Sequence, residues 1–222
     1  MSAFTTTAPI SAVLNIPAGR VRLVASDRSD TVVEVRPSDA SKARDVKVAQ
    51  ETSVDYRDGV LRIETTAKNQ YFGPSGSIDV TVELPAGSRV EVKAASAEVR
   101  SLGRFDDVVV ESQHGSIDVA EAGSARLATM AGDVSVGRLD GPAEIRTSKG
   151  DIRIAEAVRG KVVLRTDAGD LEIGAAAGVS ASLDAGTSRG RIVNSLNNSA
   201  GSDAQLTIKA TTSVGDIVAR GL

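Results

Sequence analysis

The stretch that decides the fold runs from Gly132 to Ile173 and reads GDVSVGRLDGPAEIRTSKGDIRIAEAVRGKVVLRTDAGDLEI. It contains three copies of one pentapeptide, in which Gly and Asp are followed by an aliphatic residue, any residue and a second aliphatic residue. Looser copies begin at Gly76, Gly115 and Gly215, and degenerate copies begin at Ala97 and Gly190. The period is close to 18 residues, so the chain is an array of similar structural units.

Each copy predicts two short β-strands separated by a glycine turn. An aliphatic residue stands five positions before the glycine, as Ile145 does before Gly150 and Leu164 before Gly169. Aliphatic and polar residues alternate on both sides of the turn, which is the period of a strand with one buried face. The loops between copies are too short to hold crossover helices, so the strands must coil in parallel.

The predicted fold is therefore all-β: a β-solenoid, a stack like a parallel β-helix whose two-strand rungs hold about 17 to 21 residues. At about 3.3 Å per residue, 18 residues trace a perimeter of roughly 60 Å. This narrow interior suits stacked aliphatic side chains and agrees with an aromatic content of only 2%. Residues 75 to 222 are predicted to form the solenoid, either as a separate domain or continuous with the N-terminal part.

Residues 1 to 74 repeat less regularly and are predicted to be an irregular β region that caps the solenoid. Arg57, Asp58 and Gly59 mark a hairpin turn, and residues 37 to 44 have room for one helical turn. The strand candidates are residues 12–16, 20–25, 31–36, 46–50 and 60–65.

Composition excludes several classes of function. The chain has 222 residues, a net charge of -3, no cysteine and a single histidine, His114. This balance gives no electrostatic footprint for nucleic acid, and it removes disulfides and thiolate metal sites. The first 19 residues lack both the basic segment and the continuous apolar core of a signal peptide, so we expect a cytoplasmic protein without a transmembrane segment.

The inward row three residues before each glycine is small and polar: Ala94, Ser112, Thr129, Thr147 and Thr166. Each of these residues lies two positions after an aliphatic core residue on the same strand, so its side chain is predicted to face the interior. Stacked hydroxyl groups then form hydrogen bonds along the stack.

The pattern resembles a known bacterial group of β-strand repeats, the toastrack-type putative adhesin domains. The likeness rests on AGRVRLVAS from Ala18, on SIDVTVELPAGS from Ser77 and on the repeated GD[IVL]x[IV] units, and it spans about Gly19 to Ala219. The resemblance implies a solenoid of stacked strands in proteins linked to the bacterial envelope or its stress responses. It implies no enzymatic activity and no catalytic residues.

Asp133, Asp151 and Asp170 follow the glycine in three successive copies, so their carboxylates are predicted to stand in a column about 4.8 Å apart. Such a column is a weak candidate for a calcium site. The favoured alternative is a structural one, in which each aspartate accepts a backbone N–H at its own turn.

Two further features suggest chemistry or binding. The segment from Gly186 to Gly190 matches the G-x-S-x-G nucleophile elbow around Ser188, but it lacks a following helix and a downstream histidine, so we expect no catalytic residues. Tyr71 and Phe72 are either an exposed binding anchor or a plug folded onto the solenoid, and we favour the plug.

The leading functional hypothesis is a non-catalytic interaction or scaffold module that needs no cofactor and binds an unknown protein partner. We expect a monomer or a small closed oligomer. The alternative is a self-assembling structural polymer like the bactofilins, whose short-rung coils join end to end. A polymer needs apolar end rungs that are exposed, whereas Asn194, Asn197 and Asn198 interrupt the late part of this chain.

Overall fold

The computed structural model describes residues 1–65 and 76–222, of which most are in β-strands. The all-β solenoid prediction is confirmed: about 70% of the residues are in strands and 5% in helix. The chain divides into two compact units, Met1–Gly115 and Ser116–Leu222. The predicted boundary after residue 74 stays a prediction, because residues 66–75 are outside the described part.

In residues 1–65 and 76–115, the first unit contains seven strands and one helix. In chain order they are β1 (Ser2–Thr5), β2 (Ser11–Ser26), β3 (Asp30–Pro37), α1 (Ala43–Glu51), β4 (Thr52–Arg57), β5 (Val60–Thr65), β6 (Ile78–Pro85) and β7 (Arg89–His114). Strand β2 is central, because it pairs in parallel with β5, β6 and β7. Antiparallel pairs lie outside this centre: β4 with β5, and β3 with both β1 and β6. The antiparallel pair of β4 and β5 is the one that the predicted hairpin turn requires.

One strand prediction in this unit is wrong, because residues 46–50 belong to helix α1. Val46 and Val48 alternate with polar residues as they would in a strand, but the buried positions are Asp45 and Val48, which are three residues apart and share one helix face. The helix packs on β3, β4, β5 and β6. Its Asp45 Oδ1 accepts the backbone N–H of Ser77 at 3.0 Å.

The predicted hairpin at Arg57–Gly59 is confirmed. Asp58 has φ 51° and Gly59 has φ 77° between β4 and β5. Two successive positive φ angles define the type I′ turn, whose twist matches that of paired antiparallel strands.

The second unit contains ten strands and one short 3-10 helix, residues Gly201–Asp203. The strands are β8 (Ile117–Ala131), β9 (Val134–Leu139), β10 (Ala143–Lys149), β11 (Ile152–Ala157), β12 (Gly160–Arg165), β13 (Leu171–Ala175), β14 (Ala181–Arg189), β15 (Ile192–Ser195), β16 (Leu206–Val214) and β17 (Ile217–Gly221). They form two parallel ladders joined at the glycine turns. The strand segments that follow a glycine turn form the turn ladder, in the order β8, β9, β11, β13, β17, β15. The segments that lead to a glycine turn form the approach ladder, in the order β8, β10, β12, β16, β14.

The side chains alternate between the interior and the solvent at the predicted positions. Ile152 and Leu164 are fully buried, whereas Arg153 between two buried residues is exposed. The aliphatic side chains of equivalent positions, such as Ile145 and Leu164, lie directly opposite one another in the ladder. The core of this unit is therefore a stack of aliphatic residues along the solenoid axis.

The rungs are not stacked in chain order. The last rung, β16 and β17, is inserted between the rung of β12 and β13 and the rung of β14 and β15. The inserted rung has five inward side chains with no exposed surface: Leu206, Ile208, Ala210, Ile217 and Ala219. Such a rung needs a neighbour on each side, whereas the rung of β14 and β15 carries small or polar inward residues such as Thr187 and Asn194 and tolerates the end position.

The inserted order predicts the result of a disulfide test, since the native chain has no cysteine. Val163 lies opposite Lys209, and Lys209 lies opposite Asp184. The pair Val163→Cys with Lys209→Cys should form a disulfide on mild oxidation, because adjacent strands lie about 4.8 Å apart. The pair Val163→Cys with Asp184→Cys should not, because a disulfide does not span Cα atoms more than about 7 Å apart. Mass spectrometry of the non-reduced digest decides between the orders, and stacking in chain order would give the reverse result.

Candidate functional site

The predicted aspartate column is present and is longer than expected. Oδ1 of Asp133 accepts the backbone N–H of Asp151 at 2.9 Å, and Oδ1 of Asp151 accepts that of Asp170 at 2.8 Å. Oδ1 of Asp170 accepts the N–H of Asp216 at 2.7 Å. Each aspartate thus binds the backbone of the neighbouring rung, rather than a donor at its own turn as the favoured alternative assumed.

Arg191 ends this column on the outermost rung. Its backbone N–H donates to Asp216 Oδ1 at 2.8 Å, and its guanidinium donates through Nη2 to Asp216 Oδ2 at 2.8 Å. The backbone hydrogen bond from Arg191, followed by its side-chain hydrogen bond, lowers the pKa of Asp216 below its usual range. Because an arginine side chain supplies no acceptor, it cannot receive the N–H of a further rung.

A second column, made of threonine hydroxyls, lies on the inner side of the same turns. Thr129, Thr147 and Thr166 are buried, which confirms that this row faces inward. At four turns a threonine hydroxyl donates to a glycine carbonyl of the neighbouring rung: Thr147 to Gly132 at 3.2 Å, Thr166 to Gly150 at 3.1 Å, Thr212 to Gly169 at 3.1 Å and Thr187 to Gly215 at 3.0 Å. The turns are held together by paired aspartate and threonine bonds, so both columns belong to the fold.

The other residues singled out by sequence are dispersed. Within residues 1–65 and 76–222, no cluster of three or more acidic or histidine side chains is arranged to hold a metal ion. Ser188 is the next-to-last residue of β14 and is followed by a glycine turn and strand β15 rather than by a helix, and His114 ends β7 in the first unit. Tyr71 and Phe72 lie outside the described residues, so their role as anchor or plug stays a prediction.

A groove of about 560 Å³ lies on the outer surface of the first unit, between β2, β6 and β7. Two of its charged side chains pair with one another, because Arg20 Nε donates to Asp79 Oδ1 at 3.1 Å. Partial burial would raise the pKa of Asp79, but hydrogen bonds from Arg20 and Ser38 lower it below its usual range. Arg20 and Asp79 are therefore engaged with each other, and Arg22, Glu98 and Arg100 are the other charged residues that line the groove.

The exposed end of the second unit is the feature that sequence reasoning missed. In the described part of the chain, β14 pairs only with β16 and β15 only with β17. Six large apolar side chains are exposed among the described residues: Met1, Met130, Ile192, Val193, Val214 and Leu222. Two of these six, Ile192 at 45% and Val193 at 50% exposure, lie on β15, whereas Val214 ends β16 and Leu222 follows β17 on the inserted rung. We call β14 and β15 the end surface.

Only the beginning of the end surface is covered by the chain itself. Ala181 donates its N–H to the Asn197 carbonyl at 2.9 Å, while the carbonyl of Ser180 accepts the N–H of Leu206 in β16. Strand alternation therefore places the N–H groups of Leu183 and Ala185 on the open side, away from β16. The signal available in the sequence was the degenerate copy at Gly190, in which Arg191 replaces the aspartate.

Comparison with known proteins gives one family. Residues 14–220 match the Toastrack DUF4097 family. Solved structures similar to the chain include a putative adhesin from Bacteroides fragilis NCTC 9343, with 12% identity over 98% of this chain and 95% of that chain and a TM-score of 0.49. They also include a putative adhesin from Parabacteroides distasonis ATCC 8503, with 14% identity over 100% and 95% of the two chains and a TM-score of 0.46. No match to this chain was found among curated proteins.

None of the helices in the described residues has the length and apolar character needed to cross a bilayer.

Proposed function

Because the chain belongs to the Toastrack DUF4097 family, we propose that it is a non-catalytic interaction module that binds a protein partner through the end surface. The observation that carries this proposal is the coincidence of an unpaired strand edge with two adjacent exposed apolar side chains, Ile192 and Val193. Contiguous exposed apolar surface is typical of interaction sites. An unpaired strand edge offers main-chain donors and acceptors to an added strand.

The occupant that fits this surface is an extended segment of the partner with alternating apolar side chains. Asp184 pairs with Lys209 at 3.8 Å and Arg191 pairs with Asp216, whereas Arg189 at the end of β14 is exposed and forms no side-chain ion pair or hydrogen bond within the described residues. Ile192 occupies an inward position at the open end of the solenoid, opposite Ile217, and is 45% exposed. A partner strand that covers Ile192 would add one further rung and complete the aliphatic stack.

The test is site-specific photocrosslinking in the source bacterium from residue 193, with residue 130 as the matched control. Met130 is also an exposed apolar side chain, but it lies on β8, away from the end surface. We expect an adduct from position 193 that maps to one extended segment of one partner, and none from position 130. Equal crosslinking from both positions would overturn the proposal.

A second variant shows whether the partner adds as a strand. Ala185→Pro removes a backbone donor on the open side of β14, where proline does not break the ladder with β16. The adduct from position 193 should fall at least fivefold in this variant, and an unchanged adduct would contradict strand addition. An adduct of two copies of this chain would instead replace the partner with the bactofilin-like polymer, the second candidate function.

A link to envelope or envelope-stress functions and a cytoplasmic site of action are parts of the same proposal. Both rest on the family likeness and on the sequence expectations rather than on the end surface. Fractionation of the crosslinked cells tests them, because a partner recovered with envelope proteins supports the link and a soluble adduct supports the cytoplasmic location.

A further inference from the structure

A row of outward side chains crosses the approach ladder of the second unit at right angles to its strands. Arg146 in β10 lies directly opposite Arg165 in β12. On the flanks of this pair, Ala128 lies opposite Arg146 and Thr211 lies opposite Arg165. We call Arg146, Arg165 and Thr211 the arginine row. It lies on the flank of the solenoid rather than on the end surface, so it is independent of the proposed function.

The two arginines have no acidic partner. Five other arginines on the surface of this unit pair with carboxylates: Arg126 with Glu144, Arg138 with Glu156, Arg153 with Glu172, Arg191 with Asp216 and Arg220 with Glu172. Arg159 donates instead to the Asp140 carbonyl, and Arg189 is unpaired in the described part of the chain but has no second arginine opposite it in the ladder. Within the described residues, Arg146 and Arg165 are both exposed and form no side-chain ion pair or hydrogen bond. The residues opposite them in the row, Ala128 and Thr211, carry no charge.

The nearest carboxylates along the strands do not neutralise the pair. Glu144 precedes Arg146 by two residues, but Arg126 approaches it at 3.9 Å. Asp167 follows Arg165 by two residues and lies beyond the end of β12, without an ion pair to Arg165. Asp184, on the neighbouring row, pairs with Lys209 at 3.8 Å. The arginine row is thus a local excess of two positive charges.

Like charges that lie directly opposite in a sheet repel and destabilise it. Strand spacing keeps the backbones of Arg146 and Arg165 about 4.8 Å apart, so one anion can reach both guanidinium groups. A carboxylate presents its two oxygens to a single arginine fork, whereas a phosphate or sulfate group carries enough oxygens to serve two forks. The hydroxyl of Thr211 offers a further donor beside Arg165.

We propose that the arginine row is a binding site for a tetrahedral oxyanion, a phosphate or sulfate group carried by a ligand. The first unit contains a row of similar order, Thr81, Arg22 and Arg100. There Arg100 has an interaction of its own, and Asp79 and Glu98 line the same groove. That row is therefore not an equivalent anion site.

The test is a titration followed through the side-chain Nε–H signals of the arginines by NMR, at constant ionic strength. Inorganic phosphate and inorganic sulfate are the two probes, and acetate is the control anion. We expect saturable shifts at Arg146 and Arg165, with an affinity for phosphate or sulfate at least tenfold higher than for acetate. Comparison of the two probes shows which source of oxyanion the site prefers. Equal, non-saturating shifts at all exposed arginines would show general screening and overturn the proposal.

A charge-conserving variant separates a shaped site from general attraction. The double change Arg146→Lys with Arg165→Lys keeps both positive charges but removes the planar forks. We expect at least a tenfold loss of affinity for the preferred anion, measured by calorimetry or by the backbone signals of the row. The matched control Arg126→Lys with Arg153→Lys, at two paired arginines, should leave the affinity unchanged. Equal affinity in the two double variants would contradict the assignment, and unchanged thermal melting of both confirms that they fold.

Discussion

Replacing Ile208 with aspartate should abolish folding of the second unit. The Ile208 side chain has no exposed surface and lies on β16, between Val162 of β12 and Leu183 of β14. An isolated carboxylate at this position has no partner, and its burial costs several kcal/mol or more. This penalty is comparable to the whole stability of a typical domain, about 5–15 kcal/mol. Far-ultraviolet circular dichroism and urea unfolding of the purified variant measure the effect.

The matched control is Thr207→Asp, one residue earlier on the same strand. Thr207 is exposed and lies opposite Lys161 in the ladder, so the new carboxylate faces water and a positive charge. We expect a change within about 1 kcal/mol, as for an exposed charge pair. Ile152→Asp and Leu164→Asp should behave like Ile208→Asp. If Thr207→Asp and Ile208→Asp were tolerated equally, the assignment of inward and outward faces would be wrong.

Replacing Gly215 with alanine should cost the second unit about 3–5 kcal/mol, a loss found where a residue is forced into a strained and crowded backbone site. Gly215 has φ 145°, a region that side chains rarely adopt, and a Cβ atom there would lie 2.0 Å from the carbonyl oxygen of Gly169. That oxygen accepts the Thr212 hydroxyl, so the rungs cannot separate without breaking the bond. Urea unfolding should show a lower midpoint with the same slope.

Gly186→Ala is the control for this change. Gly186 lies on β14 of the outermost rung, and a Cβ atom there would meet nothing within 4 Å. Alanine should be neutral or slightly stabilising, because it restricts the unfolded chain more than glycine does. A large loss in both variants would show that glycine is needed for strand flexibility rather than for close approach at the turns.

Local chemistry explains the features that could be predicted from sequence. Alternation of aliphatic and charged residues defines the strands, and the glycine before Asp151 or Asp170 defines the turns, because both patterns depend only on near neighbours in the chain. The hairpin at Asp58 is equally local. The helix at residues 43–51 was missed because Val46 and Val48 also alternate as a strand would, and only packing on four strands selects the helical face that buries Val48.

The candidate site was partly accessible for the same reason. The aspartate column was predicted because equivalent positions in a solenoid must stack. Its fourth member, Asp216, and its end at Arg191 could not be located, since they depend on which rung is the neighbour of which. The unpaired state of Arg146 and Arg165 also required the structure, because it depends on where Glu144 and its partner Arg126 lie.

The sequence by itself determined a solenoid of aliphatic rungs with glycine turns and an inward threonine row. Only the tertiary structure decided the order of the rungs, and with it the exposed end. The copies at Gly190 and Gly215 both place a glycine turn between two strands, so local pattern alone lets either stack on the rung of Gly169. The copy at Gly215 takes that place because the backbone N–H of Asp216 donates to Asp170 and its carboxylate accepts from Arg191. In addition, the inward side chains of this copy need a neighbouring rung on each side. The Arg191 side chain donates hydrogen bonds but offers no acceptor to the backbone of a further rung. Its rung therefore comes last, and its edge remains open.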